Sequence, residues 1–178
     1  MKWHFFILIG MLIAVVLIAG CTEEAPPGPA SPAADVVQPG QVLAVIGDVT
    51  GDGIAGGTID TITFTVGLLP GKGPVDMEKI SIYYADTVET ETLEPVAGYR
   101  GNPPRGKWGI LNVTNEIGTP NNRLEDQEQF VIRINPWAYL PANRMVTIVV
   151  RTPAGTSLTL RRIAPPTILQ QNNILAPL

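Results

Sequence analysis

The chain holds one cysteine and one histidine, Cys21 and His4, and both fall within its first 21 residues. Everything after Cys21 therefore lacks the side chains of Cys/His zinc sites, of Ser-His-Asp or Cys-His catalysis, and of a disulfide framework. The serines beyond that point, Ser31, Ser81 and Ser157, sit in no Gly-x-Ser-x-Gly elbow. Glu89, Glu91 and Glu94 form an acidic cluster without a cation nearby in sequence, which reads as a solvated loop. Paired-carboxylate hydrolysis would need a partner across a cleft. Trp108, Trp137, Tyr83, Tyr84 and Tyr139 could stack on a sugar, but packing in a core or interface is the default for sparse aromatics. These residue types predict no enzyme and no cofactor.

Three positions offer other chemistry. Gly47-Asp-Val-Thr-Gly-Asp-Gly53 partly matches a calcium loop through Asp48 and Asp52. Threonine stands at position 3, however, and position 12 is Ile59, with the acid one place late at Asp60. A Gly/Asp turn between strands is the simpler reading, so metal is expected nowhere else and only weakly here. Asn112-Val-Thr114 is the single glycosylation sequon, at the end of a strand candidate. Cys21 ends the run Ile18-Ala-Gly-Cys21, which resembles a prokaryotic lipobox. In that motif the thiol takes a diacylglyceryl group and the cysteine becomes the mature N-terminus.

The elements around these positions follow from composition. With 178 residues, a net charge of −4 and a pI near 4.9, the chain has no nucleic-acid footprint. Lys2 followed by the apolar run Phe5–Ala19 describes a signal peptide over residues 1–20. The alternative is an uncleaved membrane anchor, because Trp3–Gly20 approaches the ~20 residues a span needs. Either way the remainder faces outward, at the extracellular cell surface. Residues 21–40 then form a tether in which Pro26, Pro27, Pro29 and Pro32 favour an extended spacer. From 41 to 178 the pattern turns to period two, with strands predicted at Val42–Val49, Thr61–Leu68, Ile80–Tyr84, Trp108–Val113, Phe130–Ile134, Met145–Val150 and Ser157–Leu160. Gly/Pro/Asn turn signals separate them. The expectation is an all-β domain, an Ig-like antiparallel β-sandwich behind an N-terminal hydrophobic signal or anchor segment.

Four segments in order resemble the outer domain of archaellin, the archaeal flagellin. They are Gly57-Thr-Ile-Asp-Thr-Ile-Thr-Phe-Thr-Val-Gly-Leu68, Gly71-Lys-Gly-Pro-Val-Asp-Met-Glu-Lys-Ile-Ser-Ile-Tyr83, Leu124-Glu-Asp-Gln-Glu-Gln-Phe-Val-Ile-Arg-Ile134 and Gly155-Thr-Ser-Leu-Thr-Leu-Arg-Arg-Ile-Ala-Pro165. The resemblance implies a non-enzymatic structural protein of the archaellum, often glycosylated, in a filament or homo-oligomer. The N-terminus departs from the family pattern. No Lys/Arg-Gly processing site precedes the apolar run, and prolines follow it where a long bundling helix would continue. Archaellum stator proteins, with similar sandwiches on a membrane anchor, are therefore candidate functional relatives. The expected role is a filament subunit or a membrane-anchored accessory, with the membrane and other archaellum or surface-layer proteins as partners. A lipid-anchored binding or adhesion module, for an S-layer, a sugar or a solute, is the alternative.

Overall fold

The computed structural model describes residue 35 and residues 37–178. Thirteen strands follow one another: β1 (Leu43–Ile54), β2 (Thr58–Leu68), β3 (Val75–Asp76), β4 (Ser81–Ala85), β5 (Thr90–Arg100), β6 (Lys107–Thr114) and β7 (Arg123–Leu124). After these come β8 (Gln129–Asn135), β9 (Leu140–Pro141), β10 (Met145–Arg151), β11 (Ser157–Ile163), β12 (Asn173–Ile174) and β13 (Ala176–Pro177). The segment expected as signal or anchor, Cys21 and the proline-rich stretch to residue 34 lie outside the described residues.

Alternation of apolar and polar side chains builds the two layers. In β2, Ile62, Phe64 and Val66 are buried while the intervening threonines are half-buried. Phe130, Ile132 and Ile134 do the same in β8, and Val146, Ile148 and Val150 in β10. Strand order runs β12-β1-β2-β8-β6-β5-β4-β10-β11-β13, with β9 against the start of β2 and a separate β3–β7 pair. The first five strands of that order form one layer, and β4, β10, β11 and β13 the other. Their inward faces share one core that includes Trp108, Tyr84, Phe64 and Phe130. All seven strands read from the sequence are present, and the sandwich is as expected.

Besides five two-residue strands, the sequence reading missed one long strand, β5. Thr90–Leu93 pairs antiparallel with β4, and Glu94–Arg100 continues parallel to β6, so one strand serves both layers. Leu93 is its one fully buried residue, because a strand crossing between layers has no fixed inward face. The acidic cluster therefore sits at the turn into this strand and along it rather than in a solvated loop. Glu94 also has its cation: Lys107 Nζ lies 2.9 Å away.

The Gly/Asp-rich stretch 47–53 is likewise not a turn. It lies inside β1, with register shifts between Ile46 and Thr50 and between Asp52 and Gly53. The turn to β2 falls at residues 55–57. Here glycine serves close packing: a Cβ on Gly51 would sit 2.6 Å from Ile59 Cγ2, and one on Gly53 would run into the Leu169 carbonyl.

The two layers join through β5 on one side, the closed seam. On the other side β1 and β11 are the outer long strands, and Asp35 and the C-terminal residues cover the gap. Buried Asn173 donates from Nδ2 to the Gly51 and Leu169 carbonyls and accepts from Leu169 N–H at 2.6 Å. Residues 173–177 then pass from β1 to β11. From the N-terminal side, Asp35 meets Arg162, whose side chain is only 4% exposed, in a bidentate pair of 2.6 and 2.5 Å. Removing one member of a buried pair strands the other charge. Asp35→Ala is expected to lower unfolding free energy by about 3 kcal/mol, read from denaturant midpoints, and to open the chain near residue 40 to protease. Unchanged midpoints would show that water satisfies Arg162 unaided.

Candidate functional site

The sequence-selected positions do not converge. Asp52 faces sideways along its sheet, its Oδ2 3.1 Å from Arg133 Nη2, and its Oδ1 accepts from Asn172 N–H at 3.4 Å. Arg133 is fixed in turn by its Nε donating to Thr63 Oγ1 at 3.0 Å. Asp48 is exposed at the β1 bulge, with no ion-pair partner among the described residues. Asp52 is thus committed to an arginine that repels cations, and no cluster of three His, Cys, Asp or Glu side chains is present among the described residues. Asn112 is exposed on β6, just past a register shift opposite Val131. That geometry leaves its amide accessible, while Thr114 Oγ1 donates loosely to the Gln129 carbonyl at 3.4 Å.

A buried carboxylate that sequence reasoning passed over, Glu128, has a structural explanation. It accepts from the backbone N–H groups of Ile117 and Glu125, both at 2.9 Å, and so ties down the long β6–β8 connection.

The aromatics divide by environment. Trp108 and Tyr84 are in the core, whereas Trp137 is 63% exposed and Tyr139 46%. Exposed aromatics on a loop are ordinarily mobile, but this loop is held from two directions. Glu91 Oε1, on β5, accepts from the Trp137 N–H at 2.9 Å. Arg105 donates from Nη1 to the Pro136 and Trp137 carbonyls at 3.2 and 2.6 Å, and its guanidinium lies 3.8 Å above the Tyr139 ring. Gly106, at φ +72°, lets the indole rest on the backbone, where any Cβ would strike Nε1. The result is a rigid aromatic platform beside the closed seam, with a cation stacked in it. Its signal in sequence was the Pro136-Trp-Ala-Tyr139 run, but the anchors that fix it lie 31 to 46 positions away.

Burial raises the Glu91 carboxyl above its ordinary value of 4.5, against the lowering effect of the Trp137 and Ala138 N–H groups. A raised acid contributes stability fully below its unfolded pKa and loses it as pH rises through the folded one. Glu91→Gln keeps an acceptor for Trp137 and removes the ionisation. Between about pH 4 and 7 the wild type should therefore lose urea stability relative to this variant. Parallel curves would contradict the assignment. For Asp48 and Asp52, millimolar calcium is expected to leave the melting temperature unchanged, since only a ligand of the native state raises it. A rise abolished by Asp48→Asn would reverse that expectation.

Comparison with known proteins supplies the lineage. The family model for archaeal-type flagellin matches residues 35–162. Comparison with curated proteins gives no match. Among solved structures, archaeal flagellin FlaB1 from Methanocaldococcus jannaschii superposes with a TM-score of 0.60 at 14% identity, over 76% of this chain and 96% of that one. The archaeal flagellum of Methanospirillum hungatei gives 0.53 at 16% identity, over 76% of this chain and 71% of that one. The archaellum periplasmic stator protein FlaG from Sulfolobus acidocaldarius gives 0.44 at 17%, over 63% and 91%, too low to support an argument. Since the family model spans most of the sequence, and its matched span runs from one member of the Asp35–Arg162 pair to the other, the chain belongs to the archaeal-type flagellin family, a family of structural proteins of the archaellum.

Proposed function

We propose that this protein is a non-enzymatic structural module of the archaellum, held at the extracellular face of the membrane as an anchored accessory rather than bundled into a filament core. The observation that carries this reading is where the domain begins. Asp35 is fixed to the sandwich by Arg162, which leaves residues 22–34 as the only chain between Cys21 and the domain. Four prolines in that stretch oppose continuation of the apolar run as a long helix, the element a filament core requires. A short spacer behind a lipid-bearing Cys21 suits a domain kept close to a surface. One lipid chain pair plus protein contacts would hold it there. Asn112, exposed on β6, is the proposed glycan site. A second reading, as an extracellular binding or adhesion module, draws on the exposure of Trp137 and Tyr139. It differs in requiring a soluble or cell-wall ligand rather than archaellum components.

Intact mass after gentle membrane extraction tests the anchor. The expected species is residues 21–178 plus a diacylglyceryl group, with Cys21→Ser leaving the precursor unprocessed and Asn112→Gln losing any glycan mass. Recovery of the unlipidated full chain in sheared filaments would overturn the accessory reading in favour of a filament subunit.

A further inference from the structure

The Trp137 platform has a counterpart on the same chain. At the open seam lies a groove of about 530 Å³. Its lining is mostly apolar, from Val37, Val45, Ile174, Leu175 and Pro177, and includes the Asp35–Arg162 pair and exposed Asp48. Its size falls in the ~300–1,000 Å³ range of small-molecule pockets, room enough for an aromatic side chain. Ile174 and Val37 are each 56% exposed, so the walls are under-covered apolar surface. Beside the groove, Leu43–Asp48 of β1 has no strand on its outer edge among the described residues, because β12 pairs only with Thr50 and Gly51.

We infer that the Trp137–Tyr139 platform of one copy seats in this groove of the next, a head-to-tail contact between copies of the chain. The complementarity runs three ways. An aromatic knob meets an apolar hollow, a stacked guanidinium at Arg105 meets the unpaired carboxylate of Asp48, and a rigid loop meets a site that needs no rearrangement. Strand order places the two halves at opposite sides of the sandwich, the knob at the seam closed by β5 and the hollow at the seam left open by β1 and β11. The chain cannot satisfy this contact within itself, and a head-to-tail pair of copies leaves one knob and one hollow unused. Such a heterologous contact repeats instead of closing. One aromatic loop buries little area, so the contact is weak in dilute solution. Tethering at a surface raises the effective concentration and supplies what the area lacks. In this respect the inference rests on the anchored reading above.

The test uses the full-length chain in its own membranes, with p-benzoylphenylalanine placed at position 137 so that an aromatic knob is kept. Illumination is expected to give a ladder of dimers and higher species. Mass spectrometry should map the cross-links to peptides containing residues 37–49 or 174–178 of a second copy. Ile174→Glu, at a position 56% exposed on β12, is expected to abolish the ladder while leaving the protein in the membrane fraction. Cross-links that map elsewhere, or only to a different protein, or a ladder that survives Ile174→Glu, would each overturn the inference. Membrane retention with no ladder would overturn it too while leaving the anchored reading intact. Loss of the unilluminated protein from membranes would sink the anchored reading, and the inference that rests on it.

Discussion

A cation pointing into a hydrophobic core must be met by an anion, and here that requirement organises the open side of the sandwich. Leu158, Leu160 and Arg162 occupy successive inward positions of β11, so the strand alternation itself carries the guanidinium inside. Desolvating it alone would cost several kcal/mol. Asp35 answers with both carboxylate oxygens, and in doing so it fixes where the N-terminal segment joins the domain. The seam that β5 closes elsewhere by hydrogen-bonded strands is closed here by an ion pair and a short C-terminal crossover. The molecule therefore has two unlike sides, one sealed and aromatic, the other notched and apolar.

Much of this was legible in the sequence wherever a strand kept a constant inward face. The Ile-x-Phe-x-Val of β2 and the Phe-x-Ile-x-Ile of β8 announce themselves, because each pairs with neighbours in one layer only. β5 does not, because its two halves answer to different sheets and its Glu91 and Glu94 read as solvated charge. The glycines of β1 misled for a related reason. Glycine signals a turn by its freedom, yet Gly51 and Gly53 are present for what a side chain would strike. Arg162 stands visibly at an inward position after two leucines, but nothing local to it names a partner 127 residues earlier. The Trp137 loop follows the same rule: the aromatics are plain in the sequence, and the Glu91 and Arg105 contacts that immobilise them are not.

Family membership and the N-terminal sequence constrain different halves of the protein. The family likeness resides in the sandwich, whose matched span begins at Asp35, whereas the departures from the archaellin pattern all precede it. The described sandwich packs its core from its own strands, and a shared fold leaves the role to be argued from the segments that differ.

The crossover at residues 173–177 also has a temporal meaning. β1, among the first strands made, receives Leu175 N–H on its Val49 carbonyl, and Leu178 N–H reaches the Arg161 carbonyl of β11. Residues 173–178 therefore complete contacts with a strand that lies 122 positions earlier at Gly51. Contacts of this sequence separation carry a large loop-closure cost and form slowly. The seam stays unfinished until residues 173–178 dock, so the groove and its neighbouring strand edge are among the last features of the fold to form.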